Sequence, residues 1–86
     1  MLQTTEKVKE AFKATYNPKE FKLLVLGEEP RINHAFFAIV TNKQILVEFA
    51  VADNRIYQAS SKGDLLSSEY ELRHWITFMR TVESDL

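Results

Sequence analysis

Residues 34–41 read His-Ala-Phe-Phe-Ala-Ile-Val-Thr, and the stretch from Ala35 to Val40 is apolar without a break. Alternate side chains of an extended chain point to opposite faces. The run therefore puts Phe36, Ala38 and Val40 on one face and Ala35, Phe37 and Ile39 on the other. Such a strand needs cover on both sides. The chain has 86 residues to supply it, and a domain of that size buries only roughly 60–65% of its unfolded surface. Either helices split across the two faces of a sheet, or another copy or a partner protein covers the second face. Left bare, Phe-Phe-Ala-Ile-Val is an aggregation hazard.

The rest of the chain supplies short elements around this strand. Val8, Ala11, Phe12, Thr15 and Tyr16 recur at helical spacing, which predicts an amphipathic helix over 4–16. Thr4 or Thr5 is the expected cap, Glu6 complements the helix dipole, and Asn17-Pro18 ends the helix. Phe21–Leu26 reads as a first strand, closed by Gly27-Glu28-Glu29-Pro30. After His34–Thr41, Asn42-Lys43 is a tight-turn candidate. Gln44–Ala52 alternates, with Ile45, Val47, Phe49 and Val51 on one face and Gln44, Leu46, Glu48 and Ala50 on the other. Asp53-Asn54 is a second turn, and Arg55–Ser60 a short fourth strand. Beyond a loop around Gly63, Ser68 and Glu71 form an S-x-x-E capping box for a second helix, with Leu72, Trp75, Ile76 and Met79 as its apolar stripe and Val82 as its extension. The expected fold is a single α+β domain over residues 1–86. It holds an antiparallel meander of three to four strands, with an N-terminal and a C-terminal helix packed on it, in the order α-β-β-β-β-α.

Composition narrows the function classes. The chain has no cysteine, which removes thiol chemistry, disulfides and cysteine zinc sites and agrees with a reducing, cytoplasmic setting. Its net charge of −1 offers no general attraction for nucleic acid or an anionic membrane. No apolar run approaches the ~20 residues of a membrane-spanning helix. With two glycines, a phosphate-cradling loop has little to be built from.

Candidate chemistry is sparse. His34 and His74 would need a neighbouring carboxylate, Glu71 or Glu48, to hold a metal, and no ligand-spacing motif is present. Glu48 lies mid-strand between Val47 and Phe49. It either faces solvent or is paired across a hairpin with Arg55 or Lys43. Glu28 and Glu29 sit in the turn, where water reaches them. Ser60-Ser61-Lys62 has the residue types of a nucleophilic site and equally those of a polar turn. Neither a catalytic constellation nor a cofactor fingerprint emerges, and no cofactor or metal is expected.

Binding is the preferred class. Phe78 falls off the stripe of the second helix, and strand two carries more apolar surface than one core needs. The expectation is a small non-enzymatic protein-interaction module, an accessory, regulatory or inhibitor protein, with Phe37, Ile39, Leu46 and Phe78 as contact residues. The alternative is nucleic-acid binding through Lys7, Lys9 and Lys13 on the first helix, helped by stacking on Phe21, Phe36, Phe37 or Tyr57. Interleaved Glu6 and Glu10 weaken that field. A third reading is a small enzyme using Glu48 or His74 in a pocket at a dimer interface.

Overall fold

The computed structural model describes residues 2–41, 44–53, 55–61 and 69–84, with residues 61 and 69–71 described by their backbone alone. Helix α1 (Gln3–Thr15) is followed by strand β1 (Phe21–Glu29) and a single 3-10 turn (Pro30–Ile32). Strands β2 (His34–Thr41), β3 (Gln44–Ala52) and β4 (Arg55–Ser61) come next, and helix α2 (Glu69–Glu83) closes the fold. The strands form one antiparallel sheet in the order β1-β2-β3-β4. The expected α-β-β-β-β-α meander is therefore the fold.

Both helices lie on one face of the sheet. Val8 and Phe12 of α1 and Trp75, Phe78 and Val82 of α2 share one core with Phe37, Ile39, Val47, Phe49 and Val51. The register explains which side chains enter it. Residues directly opposite in a ladder share a face. Leu23, Ile39 and Val47 form one inward row and Phe37 and Phe49 the next, whose β1 member, Val25, stays 41% exposed at the sheet edge. Phe49 is the hub, with Phe37, Trp75 and Phe78 ring centroids at 5.3, 5.3 and 5.4 Å. Tyr16 closes the other end against Phe12, Phe21 and Phe78.

Three bulges set the side-chain phase. β1 carries an extra residue between Val25 and Gly27, β3 one between Ile45 and Val47, and β4 one between Ile56 and Gln58. A bulge puts two residues against one and reverses the alternation beyond it. At β3 the extra residue, Leu46, is fully buried in the core beside Val47, and Ile45 is only half-buried. The even alternation expected for Gln44–Ala52 therefore breaks at its first third.

Several local expectations change. α1 has no side-chain cap of its own at Leu2. Thr4 and Thr5 are buried inside its first turn, and Thr5 Oγ1 donates to Glu28 Oε2 at 2.5 Å. The same oxygen accepts the Leu2 N–H at 3.1 Å. The cap is thus a carboxylate from a distant strand. β1 runs on through Gly27 and Glu28, and the reversal comes at Asn33, whose φ of 54° is the left-handed conformation asparagine tolerates. Asp53 does the same at φ 50°. The Asn42-Lys43 turn and the Ser68 capping box lie outside the described residues.

Candidate partner interface on the open sheet face

The face of the sheet away from the helices is built from three complete outward rows. Leu24, Ala38, Glu48 and Ser60 lie opposite one another, as do Gly27, Phe36, Ala50 and Gln58, and then Glu29, His34, Ala52 and Arg55. Neither helix covers them. Strand two therefore has its second apolar face, Phe36, Ala38 and Val40, on a surface that the described residues leave open. Small side chains floor its centre. Ala38 and Ala50 are only 1% and 4% exposed. Around Ala50 lies a shallow depression of about 250 Å³, lined in part by Leu26, Phe36, Glu48, Gln58 and Ser60.

The rim is apolar on the β1 side. Leu24 and Leu26 are 44% and 53% exposed there, and Val25 between them, on the helix-side row, is 41% exposed at the same edge. At the far corner Tyr57, the extra residue of β4, stacks on His34 with ring centroids 4.8 Å apart, and its hydroxyl lies 3.1 Å from His34 Nδ1. Glu48 is half-buried on this face, and its carboxylate makes no hydrogen bond or ion pair among the described residues. Arg55 stands opposite Ala52, a full four residues along β3, so the alternative of a cross-hairpin pair between Arg55 and Glu48 is not formed, and Lys43, the other partner considered, lies outside the described residues.

The four expected contact residues are not here. Phe37, Ile39, Leu46 and Phe78 are all 0% exposed, enclosed by the chain's own core. Phe37 and Ile39 point inward because they pair with Phe49 and Val47. Leu46 is turned in by the β3 bulge, and Phe78 stacks between Trp75, Phe49 and Tyr16. They build the scaffold that presents the open face and cannot touch a partner themselves. The residues that can are Leu24, Leu26, Phe36 and Tyr57. In the sequence the two leucines read as ordinary strand residues, although the apolar run Leu24-Val25-Leu26 followed by Gly-Glu-Glu carried the signal of an exposed edge.

The alternative sites come apart in space. Lys7 lines a groove of about 680 Å³ between the helices together with Glu6, Glu10 and Arg80, a surface of mixed sign. Lys9 lies near Glu28 on the opposite side of α1, with Lys13 exposed a turn further on. Phe21 and Phe37 are buried, which removes two of the four stacking candidates. His74 packs its ring on Tyr16 at 5.8 Å, on the helix side of the sheet, whereas His34 is on the open side. Among the described residues no three histidine or acidic side chains gather as a metal site would require. β4 runs on through Ser61, so no turn forms at Ser60-Ser61, and Lys62 lies outside the described residues. Among the described residues no helix is long and apolar enough to cross a membrane. Compared with known proteins, the chain matches no family model, no curated protein and no solved structure, so its own geometry carries the functional reading.

Proposed function

We propose that this chain is a small non-enzymatic protein-binding module, accessory, regulatory or inhibitory in kind, whose docking surface is the open face of its sheet. One observation carries the reading. Both helices pack on the same side, so Leu24, Leu26, Phe36 and Tyr57 remain around an alanine floor on the other. A contiguous apolar surface of that kind marks an interaction site more often than a neutral exterior. Aromatic and leucine anchors around a small-residue floor give a partner side chain somewhere to insert. The depression is shallow and holds one carboxylate without a partner among the described residues, which suits a protein surface better than a substrate-sized ligand.

The test is affinity capture with the wild-type chain and a Phe36→Glu variant, with and without nuclease. Phe36 is half-buried and outside the core cluster, so the variant keeps its fold, as circular dichroism would verify. A stoichiometric protein partner retained by the wild type and lost by Phe36→Glu supports the reading. Capture that collapses on nuclease treatment, and on Lys9→Glu with Lys13→Glu, replaces it with nucleic-acid binding.

A further inference from the structure

We propose that β1 is the seam of a two-fold homodimer, in which the β1 strands of two copies of this chain pair antiparallel and join two four-stranded sheets into one of eight. The proposal rests on the reading of the open face as a protein contact, because Leu24 and Leu26 belong to both that face and this edge. It adds the identity of the partner.

The two edges of the sheet are unlike. β4 is seven residues long, and its Ile56 N–H is already taken by Glu83 Oε2 of α2 at 3.1 Å. β1 is nine residues long and shows Leu24, Val25 and Leu26 to solvent in succession. Unpartnered edges are normally short, charged or covered. A long edge with three exposed apolar residues at its middle has the character of an interface.

The register is specified by the bulge. In an antiparallel pair, residues opposite one another share a face. Lys22 and Glu29 would fall on opposite faces of a regular strand, and no two-fold pairing could oppose them. The extra residue between Val25 and Gly27 reverses the phase, and both end up on the open face, Lys22 opposite Val40 and Glu29 opposite His34. A dyad through the bulge then sets Lys22 of one copy against Glu29 of the other, and the reverse. It also sets Leu24 against Gly27, where the missing side chain leaves room for it. A Cβ at Gly27 would find its nearest neighbour, the Phe36 ring, only at 4.0 Å. Neither the Lys22 nor the Glu29 side chain has a hydrogen bond or ion pair within its own chain among the described residues. A bulge usually twists an edge away from a flat partner. Here the partner carries the same bulge at the same place, so the two twisted edges match. Of the open-face residues of β1, Lys22, Leu24, Gly27 and Glu29, only Glu29 offers Lys22 an opposite charge.

The test is sedimentation equilibrium of the full chain at low ionic strength, with Lys22→Glu, Glu29→Lys and the double variant. Wild type is expected to dimerise. Each single reversal sets like charges opposite at two places and should weaken the dimer by about tenfold or more, because opposed strand residues couple directly. The double variant restores both pairs and should recover most of the lost affinity. A monomer at every concentration overturns the proposal. So does a dimer indifferent to both single variants, or a double variant no stronger than the singles. Phe36→Glu, run alongside, separates the two readings. A monomer that loses a captured protein on Phe36→Glu overturns the dimer and leaves the open face a docking surface. A monomer that keeps that partner overturns both.

Discussion

Glu28 ties the start of α1 to the end of β1, and its charge state follows from that position. Its carboxylate accepts the Thr5 hydroxyl and the Leu2 N–H, two donors at the positive end of a helix dipole. The Thr5 hydrogen bond first, then the Leu2 bond, hold its pKa below the ordinary value of 4.5. A group whose folded pKa is depressed contributes stability that is fully present above its unfolded value and lost as pH falls through the folded one. The contribution of Glu28 is therefore whole at neutral pH and disappears on acidification below 4.5. Glu28→Gln should lower the melting temperature at neutral pH and narrow its gap to wild type as pH falls through that window. Parallel melting curves for the two proteins across the window would show that the carboxylate does not cap the helix. From the sequence, Glu28 was one of two acids in a Gly/Pro turn, and the contact that matters spans more than twenty residues of chain. Nothing in local spacing points to such a partner.

At the scale of elements, α2 shows why a helix can be found in a sequence while its buried side is misjudged. Leu72, Trp75, Ile76 and Met79 recur at helical spacing, and so do Trp75, Phe78 and Val82. Both stripes share Trp75 and differ by less than a third of a turn. The fold buries the second, with Phe78 and Val82 at 0% and 1% exposure, and leaves Leu72 and Ile76 exposed. The choice depends on Tyr16 and Phe49 standing where they can receive Phe78, which is tertiary information. Phe78→Ala should cost about 3–5 kcal/mol, the usual range for a large aromatic removed from a core. Leu72→Ala should cost about 1 kcal/mol or less. Urea unfolding of the two variants measures the difference, and similar losses would mean that the stripes carry equal weight. The strands carry a parallel lesson. Their order and most of their boundaries follow from hydrophobic runs and turn residues, and that much was legible, although β1 runs three residues past its expected end at Leu26. The bulges were not, because an extra residue leaves no mark in an apolar stretch such as Ile45-Leu46-Val47. Each bulge reverses the phase beyond it, and for that reason Leu46 belongs to the core and Leu26 to the rim.

For the molecule as a whole, the apolar excess of strand two was legible from the start, and the two helices decide its consequence. Placed on opposite faces they would have sealed the sheet, but both are needed on one side to enclose Phe37, Phe49 and Phe78. Two short helices cannot also cover Phe36 and Ala38, so stability and association become linked. A chain of this size has roughly 4–13 kcal/mol of stability, and burying an apolar edge against a second copy adds to it by mass action. If β1 is a dimer seam, the unfolding midpoint must depend on protein concentration. Unfolding enthalpy near 0.7 kcal/mol per residue implies a rise of about 4 °C for each tenfold increase in concentration once the dimer is saturated. Lys22→Glu should shift the onset of that rise to higher concentration, and adding Glu29→Lys should bring it back. Differential scanning calorimetry over a hundredfold range, roughly, reads this directly. A midpoint independent of concentration describes a monomer, and then the open face meets its partner as a single four-stranded sheet.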